Sequence, residues 1–484
     1  MTTDVALILL HARDLAEKGS IVEAETTYRA ALDKGSAEAA HELANLLADQ
    51  ERWEEVESLL RVAAEQGDST AMLDLSLFLQ SYDRTNEAEQ WIRLALATGN
   101  EEARLPLAEL LTDGGQLSEA EEQYRAAIAA GDSDAYVQLG SMLWEHRTAL
   151  GREADSEALY RQGLEAGDTD AYVYLGNLLH KTGRPAEAEG VYRQALDQGI
   201  DDVLLNYGNL LSELPGRQGE AERLYRRALA AGKSDAHVNL ALLLADQGRV
   251  EEAETEFQAG VAAGDALALR DIGIFLDEQG RWAEAEAKLL EAIRGEDEKA
   301  DVDLANLYVK IGRLEDAEFH FRRAADAGVV EAHINYGNLL ADELHRAVEA
   351  QEQYQKAIAG GDSVSLAHYN LANLLRDLGR LPEAEEAFRV ATSEQYRDAY
   401  LNLANLLAGQ GRMQEAEEHY RLALAAGDTL AHKRYGMLLI SLGRYGEAEA
   451  QLRATINSGG NSDADRHLLE YAIAKQARPG AESE

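Results

Sequence analysis

The sequence predicts an all-α protein, an array of about fourteen helix-turn-helix units. Three observations carry that expectation. A period close to 32 residues recurs along the 484-residue chain, each period holds two short apolar stripes at helical spacing, and Gly (40 residues) rather than Pro (5 residues) punctuates them. The period is marked by Gly35, Gly67, Gly99 and Gly131, and continues through Gly167, Gly199, Gly232, Gly264, Gly295, Gly328, Gly361 and Gly427 to Gly459. Composition is even along the chain, which favours one elongated array over several globular domains.

The most regular copy runs from Tyr400 to Asp428, YLNLANLLAGQGRMQEAEEHYRLALAAGD. Its first helix carries Leu403 and Leu407 one turn apart, with Ala399 and Ala404 as small contacts. Gly411 supplies a residue able to turn left-handed and end that helix. In the second helix Ala416, Tyr420 and Ala423 form the apolar stripe, with Leu424 alongside. Glu417 and Arg421 form an i, i+4 pair on the other face, contributing a few tenths of a kcal/mol. Gly427 closes the unit, and Asp428 is placed to cap the next helix. Helices this short are unstable alone in water, so each unit must stack on its neighbours.

The same core positions recur in order. The small residue of the second helix is Ala24, Ala88, Ala120, Ala188, Ala221, Ala253, Ala285, Ala317, Ala350, Ala384, Ala416 and Ala448; units two and five place Val56 and Ser156 there. Four residues later stands a large one, among them Tyr28, Tyr124, Tyr192, Tyr225, Phe257, Phe321, Tyr354, Phe388 and Tyr420. Unit five adds four residues around Arg147 to Asp155, and LSELPGRQGE and DELHRAVEAQ alter the same turn in units seven and eleven. These departures read as loop variation.

A Leu-Gly/Ala pair in the first helix, followed by Ala, an aromatic and another Ala in the second, resembles the tetratricopeptide repeat over roughly residues 4–460. Most copies are shorter than the family's ~34 residues, and Gly-Asp replaces its Pro near the unit end. The junctions GDSDAY and GDTDAY are similar to those of Sel1-like repeats. Either resemblance implies a right-handed superhelical solenoid. Residues 1–460 are assigned to the array, residues 461–477 to a polar C-terminal capping helix, and residues 478–484 to a disordered tail.

Net charge is −42, from 88 acidic against 46 basic residues. That disfavours nucleic-acid phosphates and anionic membranes as partners, and suits a basic protein partner or the solubility of a long array. Only 10 of the basic residues are Lys, which fits acidic adaptation to high salt. Absence of Cys excludes disulfides and thiolate chemistry. The start, MTTDVALILLHARDLAEKG, reads as a periodic helix rather than a leader, and no stretch reaches the ~18 apolar residues of a membrane span, so a cytoplasmic location is expected.

Catalytic motifs are missing: there is no HExxH, no GxSxG and no Lys-bearing phosphate loop, so neither enzyme activity, cofactor nor metal is expected. His237, His333, His368 and His432 share a repeat position with Tyr136, Tyr172 and Tyr400, which marks them as packing residues. Asn forms the constellation that stands out. A later row holds Asn45, Asn177, Asn209, Asn306, Asn338, Asn373 and Asn405; three residues earlier lie Asn206, Asn239, Asn335, Asn370 and Asn402. Residues i and i+3 share a helix face, and interior Asn costs each helix roughly half a kcal/mol, so a compensating role is required. Two roles fit: the amides grip the backbone of an extended peptide in the concave groove, or they bond adjacent first helices and fix the superhelical pitch. The stretches HINYGNLL, HYNLANLL and YLNLANLL resemble the repeats of the O-linked N-acetylglucosamine transferase family, whose concave-face Asn side chains hold substrate peptide. Its catalytic domain has no counterpart here. The expected function is a non-catalytic scaffold binding an extended or disordered segment with basic character. Self-association through terminal repeats and an acidic decoy of a DNA-binding protein are the alternatives.

Overall fold

A computed structural model describes residues 3–265, 267–361, 364–459 and 462–477. All regular structure among the described residues is helical, joined by short turns, with no strand. The chain divides within the helix Ala236–Asp246 into two compact units, Met1–Asn239 and Leu240–Glu484. Each is a run of helical hairpins in which successive helices pack on one another. None of the described helices is long and apolar enough to cross a membrane.

The hairpin Arg397–Gly409 and Met413–Ala425 shows how residues specify the unit. Ala399, Leu403, Ala404 and Leu407 of the first helix and Ala416 and Ala423 of the second are fully buried. Gly411 and Gly427 turn left-handed at φ 79° and 85°. Where Gly is missing, Glu51, Asp83, His345 and Gln395 take the left-handed conformation instead, at a cost of about 1 kcal/mol or more each. Gly295 departs from the sequence expectation: its φ is −83° and Glu296, at φ 67°, makes the turn. Asp428 does not cap the next helix, Ala431–Ser441; it lies three residues ahead and accepts from the Leu430 N–H. Asp68, by contrast, is a true N-cap, accepting from Thr70 and Ala71.

Small residues in the first helix admit the large residue of the second. A Cβ added at Gly176 would lie 2.2 Å from Cε1 of Tyr192, and one at Gly208 or Gly337 would lie 2.5 Å from the ring of Tyr225 or Tyr354. This close approach is why Gly is tolerated inside these helices despite its intrinsic cost.

Many outward Glu residues are paired with Arg. Arg184, at the start of its helix, donates to Glu187 one turn on (Nε to Oε1, 2.7 Å) and to Glu157 in the preceding hairpin (Nη1 to Oε2, 2.6 Å). Arg281, Arg412 and Arg444 repeat the arrangement with Glu254 and Glu284, Glu385 and Glu415, and Glu417 and Glu447. Solvent screens each pair, but the fork geometry of Arg fixes orientation between neighbours.

The irregular turns acquire defined structure. The extra residues of unit five form the short helix Arg147–Leu150, closed by Gly151 at φ 63°. In unit eleven the helix Val330–Asn338 runs into a π-helical turn, Leu339–Glu343. The helix Asp463–Gln476 packs on Tyr445–Asn457 and begins with a reciprocal Ser462–Asp465 capping box. Lys433 and then Ser462 hold the Asp465 carboxyl down at about 2. Residues 478–484, assigned to a tail, lie outside the described residues.

Candidate functional site

The two Asn rows are joined, and the joint explains why Asn is kept inside these helices. In the later row, Oδ1 of Asn177, Asn209, Asn338 and Asn405 accepts the hydroxyl of Tyr192 (2.7 Å), Tyr225 (2.7 Å), Tyr354 (2.8 Å) and Tyr420 (2.8 Å), each from the second helix of the same hairpin. Burial pushes these phenols up, Tyr420 to about 12, so they stay donors at neutral pH. Earlier-row amides complete the link across hairpins. Nδ2 of Asn206, Asn370 and Asn402 donates to Oδ1 of Asn177 (2.9 Å), Asn338 (3.0 Å) and Asn373 (3.1 Å) in the hairpin before.

In these five later-row residues, Asn177, Asn209, Asn338, Asn373 and Asn405, one half of the amide is thus committed internally. The other half is free: Nδ2 of Asn177, Asn209, Asn338, Asn373 and Asn405 donates no hydrogen bond among the described residues and is not buried without a partner. These side chains are half-buried. With Oδ1 held, the N–H pair is fixed in direction, a preorganised donor.

Asn45, Asn239, Asn306 and Asn335 make no side-chain hydrogen bond among the described residues, and Asn45 and Asn306 are exposed. Leu60 and Phe321 occupy the second-helix position that Tyr holds elsewhere, so Asn45 and Asn306 have no hydroxyl to accept. At Asn306 a cavity of about 140 Å³ opens, lined by Asn306, Val309, Phe321, Asn335, Asn338, Leu339, Asp342 and Glu343. A wider depression of about 420 Å³ lies beside Asn405 and Tyr420, where Arg434 and Met437 take the places of the two row residues.

The earlier row also carries acid. Asp271 and Asp303 stand two residues before Gly273 and Ala305, in register with Asn335, Asn370 and Asn402. Arg270 reaches toward Asp303 (Nε to Oδ2, 3.7 Å) and Asp297 (Nη1 to Oδ1, 3.5 Å), too far for strong pairing. Burial pushes the Asp303 carboxyl up to about 6 and raises Asp271 as well. This register is present in the sequence, but the change of residue type from Asn to Asp hides it. The Tyr hydroxyls were likewise visible 15 or 16 residues after their Asn partners.

The row of His residues is occupied in packing and polar contacts. The His333 and His432 rings meet Gln353 (2.8 Å) and Gln451 (2.7 Å), and burial lowers His368. No group of three or more His, Asp or Glu among the described residues is arranged to hold a metal ion.

Among solved structures, the chain is similar to the APC/C hetero-tetramer Cut9–Hcn1, at 15% identity over 97% of this chain and 96% of that one, with a TM-score of 0.44. Yeast Tom70 is similar at 12% identity over 84% of this chain and 96% of its own (TM-score 0.42). A tetratricopeptide repeat protein from Parabacteroides merdae ATCC 43184 is similar at 18% identity over 50% of this chain and 98% of its own (TM-score 0.36). No curated protein matches. The family model of the tetratricopeptide repeat matches residues 146–203, 216–268, 339–398 and 369–431. Over those stretches, which make up less than half of the chain, the sequence is similar to tetratricopeptide repeats.

Proposed function

We propose that the chain is a non-catalytic scaffold that holds an extended or disordered segment of a partner protein along its first helices, through the Asn rows. Tetratricopeptide repeats mediate protein–protein interaction, and the observation that carries the finer reading is the set of pinned amides with free Nδ2 donors. A peptide offers one carbonyl per residue whatever its side chains. At roughly 3.3 Å per residue, an extended chain advances about three residues over the roughly 10 Å between packed helices, so one amide can meet every third carbonyl. Net charge of −42 and the acids at Asp271 and Asp303 favour a segment with basic character.

The test separates the two roles of the amide. Asn338→Asp, Asn373→Asp and Asn405→Asp together keep an acceptor for Tyr354, Asn370, Asn402 and Tyr420, and remove only the free donors. Circular dichroism is expected to show an intact fold. Capture of partner from lysate at high salt, where the added charges are screened, is expected to fall by at least about tenfold, from three hydrogen bonds of roughly 1 kcal/mol each. Undiminished capture by the folded variant would show that the amide donors do not hold the segment. If the wild type captures nothing and instead forms concentration-dependent oligomers, self-assembly becomes the better reading.

A further inference from the structure

Within Leu240–Glu484 the amide ladder is closed at Asn338–Asn370 and Asn373–Asn402 and open at Asn306–Asn335. Two local features accompany the opening. Phe321 brings no hydroxyl to Asn306, and the backbone after Asn338 leaves the α-helix for the π-helical turn Leu339–Glu343. Single π-turns inside helices recur at functional sites. The opening coincides with the cavity of about 140 Å³.

Its lining has a definite chemical character. Buried Phe321 and Leu339 supply apolar wall. Asn306 and Asn335, tied to nothing among the described residues, are free to turn their carbonyl oxygens inward, which the pinned amides elsewhere cannot do. Asp342 and Glu343 add carboxylates that form no ion pair among the described residues, whereas Glu318, Glu385 and Glu417 are held by Arg. Apolar wall with four acceptors and no cation suits one group above others: a lysine side chain, whose stem is aliphatic and whose compact ammonium carries three donors and no acceptor. A planar guanidinium seeks a bidentate carboxylate, and a carboxylate or phosphate would be repelled.

We propose that this cavity receives a lysine side chain of the bound segment and so sets the segment's register on the repeats, an inference that rests on the segment-binding reading above. The pinned amides treat every peptide alike; this open rung distinguishes one residue from the rest.

The test compares two probes of equal charge on the full chain by fluorescence anisotropy: labelled hexalysine and its Nε-trimethylated form, which keeps the charges and loses the N–H donors. The wild type is expected to bind hexalysine about tenfold tighter, a difference of one or two charge-assisted hydrogen bonds. Asn306→Ala with Asn335→Ala changes no charge and breaks no internal hydrogen bond, and is expected to abolish that preference; Asp342→Asn with Glu343→Gln is expected to do the same. Equal binding of both probes by the wild type would assign the attraction to diffuse charge and overturn the lysine site. So would a preference that survives the Asn306 and Asn335 changes, or failure of the wild type to bind either probe. In each of those cases capture by the Asn338, Asn373 and Asn405 variant decides separately whether a segment is held at all.

Discussion

Tyr192→Ala is expected to destabilise its part of the array by about 3–5 kcal/mol, the range for removing a buried aromatic ring. Tyr192 has no exposed surface, and its ring fills the space where a Gly176 side chain would be. It also meets the Tyr207 ring of the next hairpin at 5.6 Å and donates to Asn177, which accepts Asn206 in turn. One ring therefore closes a hairpin, packs on its neighbour and orients a rung of the ladder. Tyr192→Phe removes only the hydroxyl and is expected to cost about 0.5–1.5 kcal/mol. Repeat arrays sum hairpin and neighbour terms, so the damage stays local and unfolding ceases to be two-state. Hydrogen exchange is the suitable measurement: amides of Ala171–Lys181, Pro185–Asp197 and Leu204–Glu213 should exchange faster, those of Met413–Ala425 should not. If the Ala variant cost no more than the Phe variant, the ring would not be the keystone described.

The same hairpin shows what the sequence made legible. Period, left-handed Gly turns, buried Ala and aromatic stripes, and the Asn rows all follow from local rules, because φ freedom and 3.6-residue periodicity act within a few residues. The pairing of Asn177 with Tyr192 is not legible in the sequence, because two rows on different helices reveal no contact until the hairpin's rotation is known. Arg184 and Glu157 are 27 residues apart for the same reason. The left turn at Glu296 instead of Gly295, and the π-turn after Asn338, depend on one-residue shifts that a period of about 32 residues cannot resolve. Of the site, the amides were legible and their division into a committed oxygen and a free N–H pair was not.

Asp303→Asn is expected to stabilise the protein at neutral pH, an unusual outcome for removing a charge beside an arginine. Burial is the main reason the Asp303 carboxyl titrates near 6; Arg270 opposes it weakly from 3.7 Å, while Glu331, Asp297 and Asp271 add like charge. An unfolded Asp titrates near about 3.9. Between those values the folded chain keeps a proton that the unfolded chain has released, so stability falls as pH rises through the window and the loss is complete above about 6. Most perturbed carboxylates here act in the opposite sense, as with Glu417, held low by Arg444. The difference between variant and wild type therefore isolates Asp303. It is expected to be near zero at pH 4 and about 1–3 kcal/mol in favour of Asn at pH 7.5, after allowing for partial exposure, measured by denaturant titration at both values. A variant no more stable than wild type at pH 7.5 would show that Arg270 compensates the burial after all. If the row does hold a basic segment, the same substitution should weaken that binding at pH 7.5 while strengthening the fold. A half-buried carboxylate that opposes folding and faces a bound cation is strained until the cation arrives, and opposite signs for stability and affinity in one variant are what that arrangement requires.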